Sequence, residues 1–140
     1  MKEQLNQVRE FQKAFEQTLN DVPSFISFDD SVLRYDLASE ELHEYDDAVD
    51  NMDIVEILDS LVDQAYILFG TVNAHGLQEH FLKAFDLVHI NNMSKLDENG
   101  KVLKNEAGKV IKPKGFKPVD LKPLFECDAI YRVEPIKIEE

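Results

Sequence analysis

From Asp53 to Asn73 the apolar residues Ile54, Ile57, Leu58, Leu61, Val62, Ala65, Leu68, Phe69 and Val72 recur at helical spacing. Such a run predicts one long helix with a broad apolar face that other helices have to cover. Residues 3 to 20 read the same way, with Leu5, Val8, Phe11, Phe15 and Leu19 on one side, before "NDVPSF" breaks the pattern. A second helix is expected from Asp36 to Asp50. A fourth is expected from Leu77 to Asn92, with Leu77, Phe81, Ala84, Phe85 and Val88 on one face. The expected fold class is all-α and four-helix-bundle-like.

After Ser94 the character changes. Turns are signalled at "DENG", "NEAG" and "KPKG". The echo between "ENGKVLK" (98–104) and "EAGKVIK" (106–112) reads as a short β-hairpin, and "IYRVEPIKIEE" as a further extended piece. At 140 residues the chain suits a single domain, with a helical core over about 3–95 and a basic hairpin and tail over about 96–140. No apolar run approaches the length of a membrane span. The polar, amphipathic start does not read as a secretory signal, and a single cysteine, Cys127, fits a reducing compartment. A cytoplasmic location is expected.

The net charge of −13 is unevenly spread. From Asp29 to Asp63 thirteen acids face one base, Arg34, whereas Lys95 to Lys122 holds eight lysines and four acids. A nucleic-acid binder wants a broad basic face, so nucleic acid is not an expected partner. An acidic block followed by a basic one suits a small anion bridged by metal.

Drawn as a wheel, the second helix has an apolar arc of Leu37, Ala38, Leu42, Tyr45, Ala48, Val49 and Met52. Glu41 falls inside that arc, Glu44 at its edge and Glu40 just beyond. On the third helix Glu56, Asp59 and Asp63 make one stripe opposite the apolar face. If the two helices are antiparallel neighbours, four carboxylates converge across the gap. Buried acids that meet without counter-charge are costly, and a hard divalent cation relieves that cost. Simpler readings compete. Asp53 and Glu56 form a possible capping box, and an acidic stripe is often only a solvated face. Against the second stands the absence of any lysine or arginine between Tyr35 and Leu82. The histidines His75, His80 and His89 lack zinc-site spacing, and Cys127 has no base beside it in sequence.

Glu40-Glu41-Leu42-His43-Glu44, followed after eleven residues by Glu56-Ile57-Leu58-Asp59, resembles the paired E-E-x-x-E … E-x-x-D signature of the all-α nucleoside triphosphate pyrophosphatases, the superfamily of MazG, the dimeric dUTPases and phosphoribosyl-ATP pyrophosphatase. The ending "NMSKLDENGKV…GKVIKPKGFKPVDL" is similar to that of small MazG-like members. The resemblance implies a MazG-type fold. It implies that Glu41, Glu44, Glu56 and Asp59 bind Mg²⁺, with Mn²⁺ as an alternative. Glu40 would bind a second metal or orient the attacking water, and Asp63 would stand in an outer shell. Asn92, Ser94, Lys95 and Lys114 would contact phosphate.

The implied reaction is hydrolysis of a nucleoside triphosphate, with a deoxynucleotide favoured, to monophosphate and pyrophosphate. The implied assembly is a homodimer or homotetramer. Phe25, Phe28, Tyr66, Asn73 and Phe85 are candidates for meeting the base, although such residues more often belong to a core or a helix cap. The competing expectation is a non-catalytic acidic helical protein, such as a phage regulator docking on a basic partner. A metal buffer without turnover is the third.

Overall fold

The computed structural model describes residues 1–126; Cys127 and the stretch "IYRVEPIKIEE" lie outside the described residues. Four α-helices follow one another, α1 Lys2–Ala14, α2 Phe28–Asp50, α3 Ile54–Ala74 and α4 Gln78–Met93, with a short 3₁₀ turn at Lys122–Phe125. The protein is all-α and bundle-like. Among the described residues no helix is long and apolar enough to cross a membrane. The chain divides into two compact units, Met1–Gln78 and Glu79–Glu140.

In the first unit α1 and α2 both pack on α3. The first helix is shorter than its periodicity predicts, because Glu16 adopts a left-handed φ of 54°. The Gln17 N–H turns back to the Gln12 carbonyl at 2.8 Å, and Phe15 stacks on Phe11 instead of continuing the helical face.

The second helix begins two turns earlier than expected. The cause is a cap in "SFDD": Ser27 Oγ accepts from the Asp30 N–H at 3.0 Å while its hydroxyl donates to the Asp30 carboxylate at 2.7 Å. Thr18 donates to the same carboxylate at 3.0 Å. These bonds, Ser27's first, hold the Asp30 carboxyl below its ordinary value.

At the start of α3, the Asp53 carboxylate accepts from the N–H groups of Val55 and Glu56. At the other end the Leu77 N–H bonds the Val72 carbonyl and the Gly76 N–H bonds that of Asn73, the two bonds of a Schellman cap. Gly76 has φ +68°, and a Cβ there would stand 2.0 Å from the Val22 carbonyl oxygen, so no other residue fits.

Among the described residues the buried side chains are few. Leu5, Val8, Ala48, Val72 and Ala74 form the apolar core, and Gln12, Asn73, Ser60 and Arg34 are buried with them. Between α1 and α3 the polar ones make a network. Asn73 Nδ2 donates to the Leu5 carbonyl and to Gln12 Oε1, both at 3.1 Å, and Gln12 Nε2 donates to the Gly70 carbonyl at 3.0 Å. The wheel misjudged the apolar arc of α2: Leu42, Tyr45, Val49 and Met52 are exposed and only Ala48 is buried. The N-terminal half of α3 is likewise uncovered at Ile54, Leu58, Leu61 and Val62. The short α1 reaches only the C-terminal half of α3, at Tyr66, Gly70 and Asn73.

In the second unit the sequence echo is an echo of turns. The Asp97 N–H bonds the Lys101 carbonyl and the Asn105 N–H bonds the Lys109 carbonyl. Single antiparallel bridges join Leu96 to Val102 and Lys104 to Val110. Asp97 Oδ1 accepts from the Lys101 N–H and Asn105 Oδ1 from the Lys109 N–H, so the two turns are closed by the same kind of side chain.

Candidate active site

Arg34, Glu41 and Ala48 are spaced by seven residues and share the side of α2 that meets α3. That register decides which glutamate turns inward. Only Glu41 does; Glu40 and Glu44 are exposed. Its main-chain carbonyl accepts from Gln64 Nε2 of α3 at 3.3 Å, which pins the residue against the neighbouring helix. Its Oε2 is sealed from solvent and has no hydrogen-bond partner. Burial raises the Glu41 pKa above its ordinary value. Asp63, Glu44, Glu40 and Asp59 add to the rise, in that order, by like-charge repulsion.

Acids from two helices therefore bear on one carboxylate. Asp63, which the resemblance relegates to an outer shell, acts on Glu41 more strongly than any other acid. Glu44 also lines an open groove of about 430 Å³ at the α2–α3 turn, together with Asp47, Asn51, Asp53 and Glu56. It thus joins the surroundings of Glu41 to Glu56. The capping-box reading of Glu56 does not hold, because the Asp53 N–H is already taken by the Ala48 carbonyl at 3.0 Å. Asp53 caps the helix, and the Glu56 carboxylate is not the other half of a box.

Among the described residues no three histidine, aspartate or glutamate side chains are placed closely enough to hold a metal ion. Repulsion between like charges favours rotamers that keep such acids apart until a counter-charge gathers them. Two features fit a hard divalent cation: a sealed carboxylate oxygen without a donor, and neighbouring side chains that offer only carboxylate oxygen.

The remaining candidates separate. Asn73 is fully buried, and its amide nitrogen is spent on Leu5 and Gln12, so it has no part in meeting a base. Tyr66 sits edge-on to Phe11 at 5.6 Å. Phe25 and Phe28 are 89% and 82% exposed, and Phe85 is exposed as well. In the second unit Lys95 Nζ donates to Asn92 Oδ1 at 2.7 Å, Ser94 Oγ donates to the Asn91 carbonyl at 2.8 Å, and Lys114 is exposed. Sequence reasoning missed an apolar groove of about 420 Å³ between α2 and α3, walled by Tyr35, Ala38, Leu42 and Leu68 and reached by the buried Arg34. Arg34 was legible as the only base within the acidic block, but its burial was not.

Residues 8–91 match the protein family described as phosphoribosyl-ATP pyrophosphohydrolase. The chain belongs to this family. No curated protein matches the chain. The phosphoribosyl-ATP pyrophosphohydrolase family is part of the all-α MazG-like nucleoside triphosphate pyrophosphohydrolase superfamily, in agreement with the paired acidic motif. The matched span holds Glu40, Glu41, Glu44, Glu56, Asp59 and Asp63 and ends one residue before Asn92. Membership indicates a pyrophosphohydrolase, a hydrolase acting on acid anhydrides, and pyrophosphohydrolases of this type generally use divalent metals.

Proposed function

We propose that the protein hydrolyses a nucleoside triphosphate, with a deoxynucleotide favoured, to the monophosphate and pyrophosphate in a Mg²⁺-dependent reaction of the cytoplasmic nucleotide pool. The observation that carries this reading is the sealed, partnerless Oε2 of Glu41 among acids of α2 and α3, inside the span that matches the family. Glu41, Glu44, Glu56 and Asp59 would hold the cation, Mg²⁺ or Mn²⁺, with Asp63 in an outer shell where its charge acts on Glu41. A bound divalent ion supplies charge neutralisation of the phosphates and a lowered pKa for attacking water.

The chain's own part is positional. Glu40 orients a water toward the α-phosphorus and takes its proton as the bond to the bridging oxygen breaks and pyrophosphate departs. Asn92, Ser94, Lys95 and Lys114 are proposed to meet phosphate oxygens, on the strength of the basic block and the resemblance of "NMSK" and "KPKG" to the family's ending. Self-association as a homodimer or homotetramer is part of the proposal. It is supported by the uncharged, exposed stripe of Ile54, Leu58, Leu61 and Val62 on α3, a contiguous apolar surface of the kind that marks interfaces.

The test is a panel of the eight common ribo- and deoxynucleoside triphosphates together with phosphoribosyl-ATP, each with Mg²⁺, read by pyrophosphate release. Pyrophosphate from one or more triphosphates, lost on chelation, is the expected result. Release from phosphoribosyl-ATP alone would move the substrate to the family's own, and no release from any of them would sink the catalytic reading.

A further inference from the structure

Two neighbouring residues of α3 act on Glu41. The charge of Asp63 bears on its carboxylate, and Gln64 Nε2 donates to its main-chain carbonyl at 3.3 Å. The second of these runs between α2 and α3, and neither helix needs it. A carbonyl inside an α-helix already accepts from the N–H four residues on, and only its second lone pair is left to take Gln64. Other polar side chains lining the apolar groove behave differently. Thr71 Oγ1 donates to the Ile67 carbonyl at 2.9 Å and Ser31 Oγ to the Ser27 carbonyl at 3.0 Å, each one turn back along the chain. Gln64 instead reaches across to the facing helix from among Ala38, Leu42, Ile67 and Leu68, where an apolar side chain would pack as well. The atom it holds belongs to the residue whose Oε2 is sealed without a partner. A cation taken by Glu41 and Glu44 from α2 and by Glu56 and Asp59 from α3 needs those helices in one register, because a binding constellation works only when its members are held to within roughly 0.5 Å.

We propose that Gln64 is a positioning residue for the cation: through the Glu41 main chain it fixes the register of α2 against α3 at which carboxylates of both helices reach one ion. The proposal rests on the reading of those carboxylates as metal ligands. Gln64 makes no bond to the ion itself, since its donor is committed to the Glu41 carbonyl.

The test is calorimetric titration of the full chain with Mn²⁺ and with Mg²⁺ in the absence of nucleotide, alongside metal-free thermal melting. Gln64→Met keeps the length and flexibility of the side chain and removes the donor. It should weaken cation binding roughly tenfold or more, the scale on which partners outside the ligand set act. Its metal-free melting temperature should stay close to that of the unaltered chain, because methionine suits an apolar groove. Thr71→Val, which alters the same groove without touching Glu41, should change cation affinity by less than about twofold. If Gln64→Met does not fold, Gln64→Leu takes its place. Failure of both to fold, or a lowered melting temperature with cation affinity unchanged, would make Gln64 a residue of the fold and overturn the proposal. A chain that binds no divalent cation also overturns it, since there is then no ion to place. Nucleotide hydrolysis with equal cation affinity in the unaltered and Gln64→Met proteins removes the positioning role and keeps the reaction. Weakened cation binding in a protein that fails the nucleotide panel keeps the positioning role and removes the reaction.

Discussion

Arg34 and Glu41 stand two turns apart on the same side of α2, both turned toward α3, and the protein treats their charges in opposite ways. The guanidinium is housed. Gly70 leaves the room it occupies, since a Cβ at that position would lie 3.1 Å from Nη1. Gln17 Oε1 accepts from Nη2 at 3.4 Å, and Asp30 offsets electrostatically part of what burial costs the cation. The carboxylate has no such provision. Its sealed oxygen lacks a donor, and its charged neighbours are other acids. A buried charge with compensation serves the fold, whereas a half-buried carboxylate whose inward oxygen lacks a partner is a stability cost of the kind found at functional sites. Within the first unit, the end around Arg34 contains the cap of α2, the Gln12–Asn73 network and the apolar core residues Leu5 and Val8. The end around Glu41 contains Glu40, Glu44, Asp59 and Asp63 and the uncovered stripe of α3.

That contrast can be broken from either side. The largest effect is expected from Glu56→Gln or Glu41→Gln, either of which should lower pyrophosphate release by a factor on the order of 10² or more without loss of the folded state. Activity that survives both would show that the acids are only a solvated face. Arg34→Ala should act on folding instead, costing about 2–4 kcal/mol in denaturant melts through lost packing and an opened cavity. A smaller change sharpens the point. Gly70→Ala should destabilise by about 1 kcal/mol, because the added Cβ would stand 3.1 Å from Nη1 and push the guanidinium off its contact with Gln17, although alanine is intrinsically the better helix former. In an Arg34→Met background the same Gly70→Ala change should reverse sign. Equal effects in both backgrounds would mean that the notch is not there for Arg34.

The smallest effect is a pH dependence. The folded-state pKa of Glu41 is raised above its ordinary value of 4.5, so the folded protein holds that proton more tightly than the unfolded chain does. The stabilising contribution of the protonated form is complete below 4.5 and is lost as pH rises through the folded-state value. Metal-free, Glu41→Gln should therefore melt above the unaltered protein at neutral pH, and the gap should close as pH falls toward 4.5. A gap independent of pH would assign the difference to something other than this carboxylate.

Much of this was legible in sequence, and the gaps have physical causes. Helical periodicity located α3 and α4 closely, because long apolar runs with clear stops at Asp53 and Gly76 leave little freedom. The early start of α2 was missed although "SFDD" carries the S-x-x-D signature of a cap, because the turn residues just before it dominated the reading. The inward direction of Glu41 followed from the wheel. Which wheel positions end up covered did not, because that depends on how far the short α1 reaches along α3. Phe116 looked like an isolated aromatic; Lys112, four residues before it, and Lys95, which only the fold brings near, both approach its ring.

Thermal melting of the unaltered protein and of Glu41→Gln, each with and without Mg²⁺ or Mn²⁺, tests the central claim most directly. Without divalent ions the unaltered chain should be the less stable of the two; with them it should gain and overtake the variant, which should respond weakly. Two melting temperatures that ignore the cation, with the glutamine variant the less stable throughout, would contradict the account: Glu41 would then be a carboxylate that the fold itself uses.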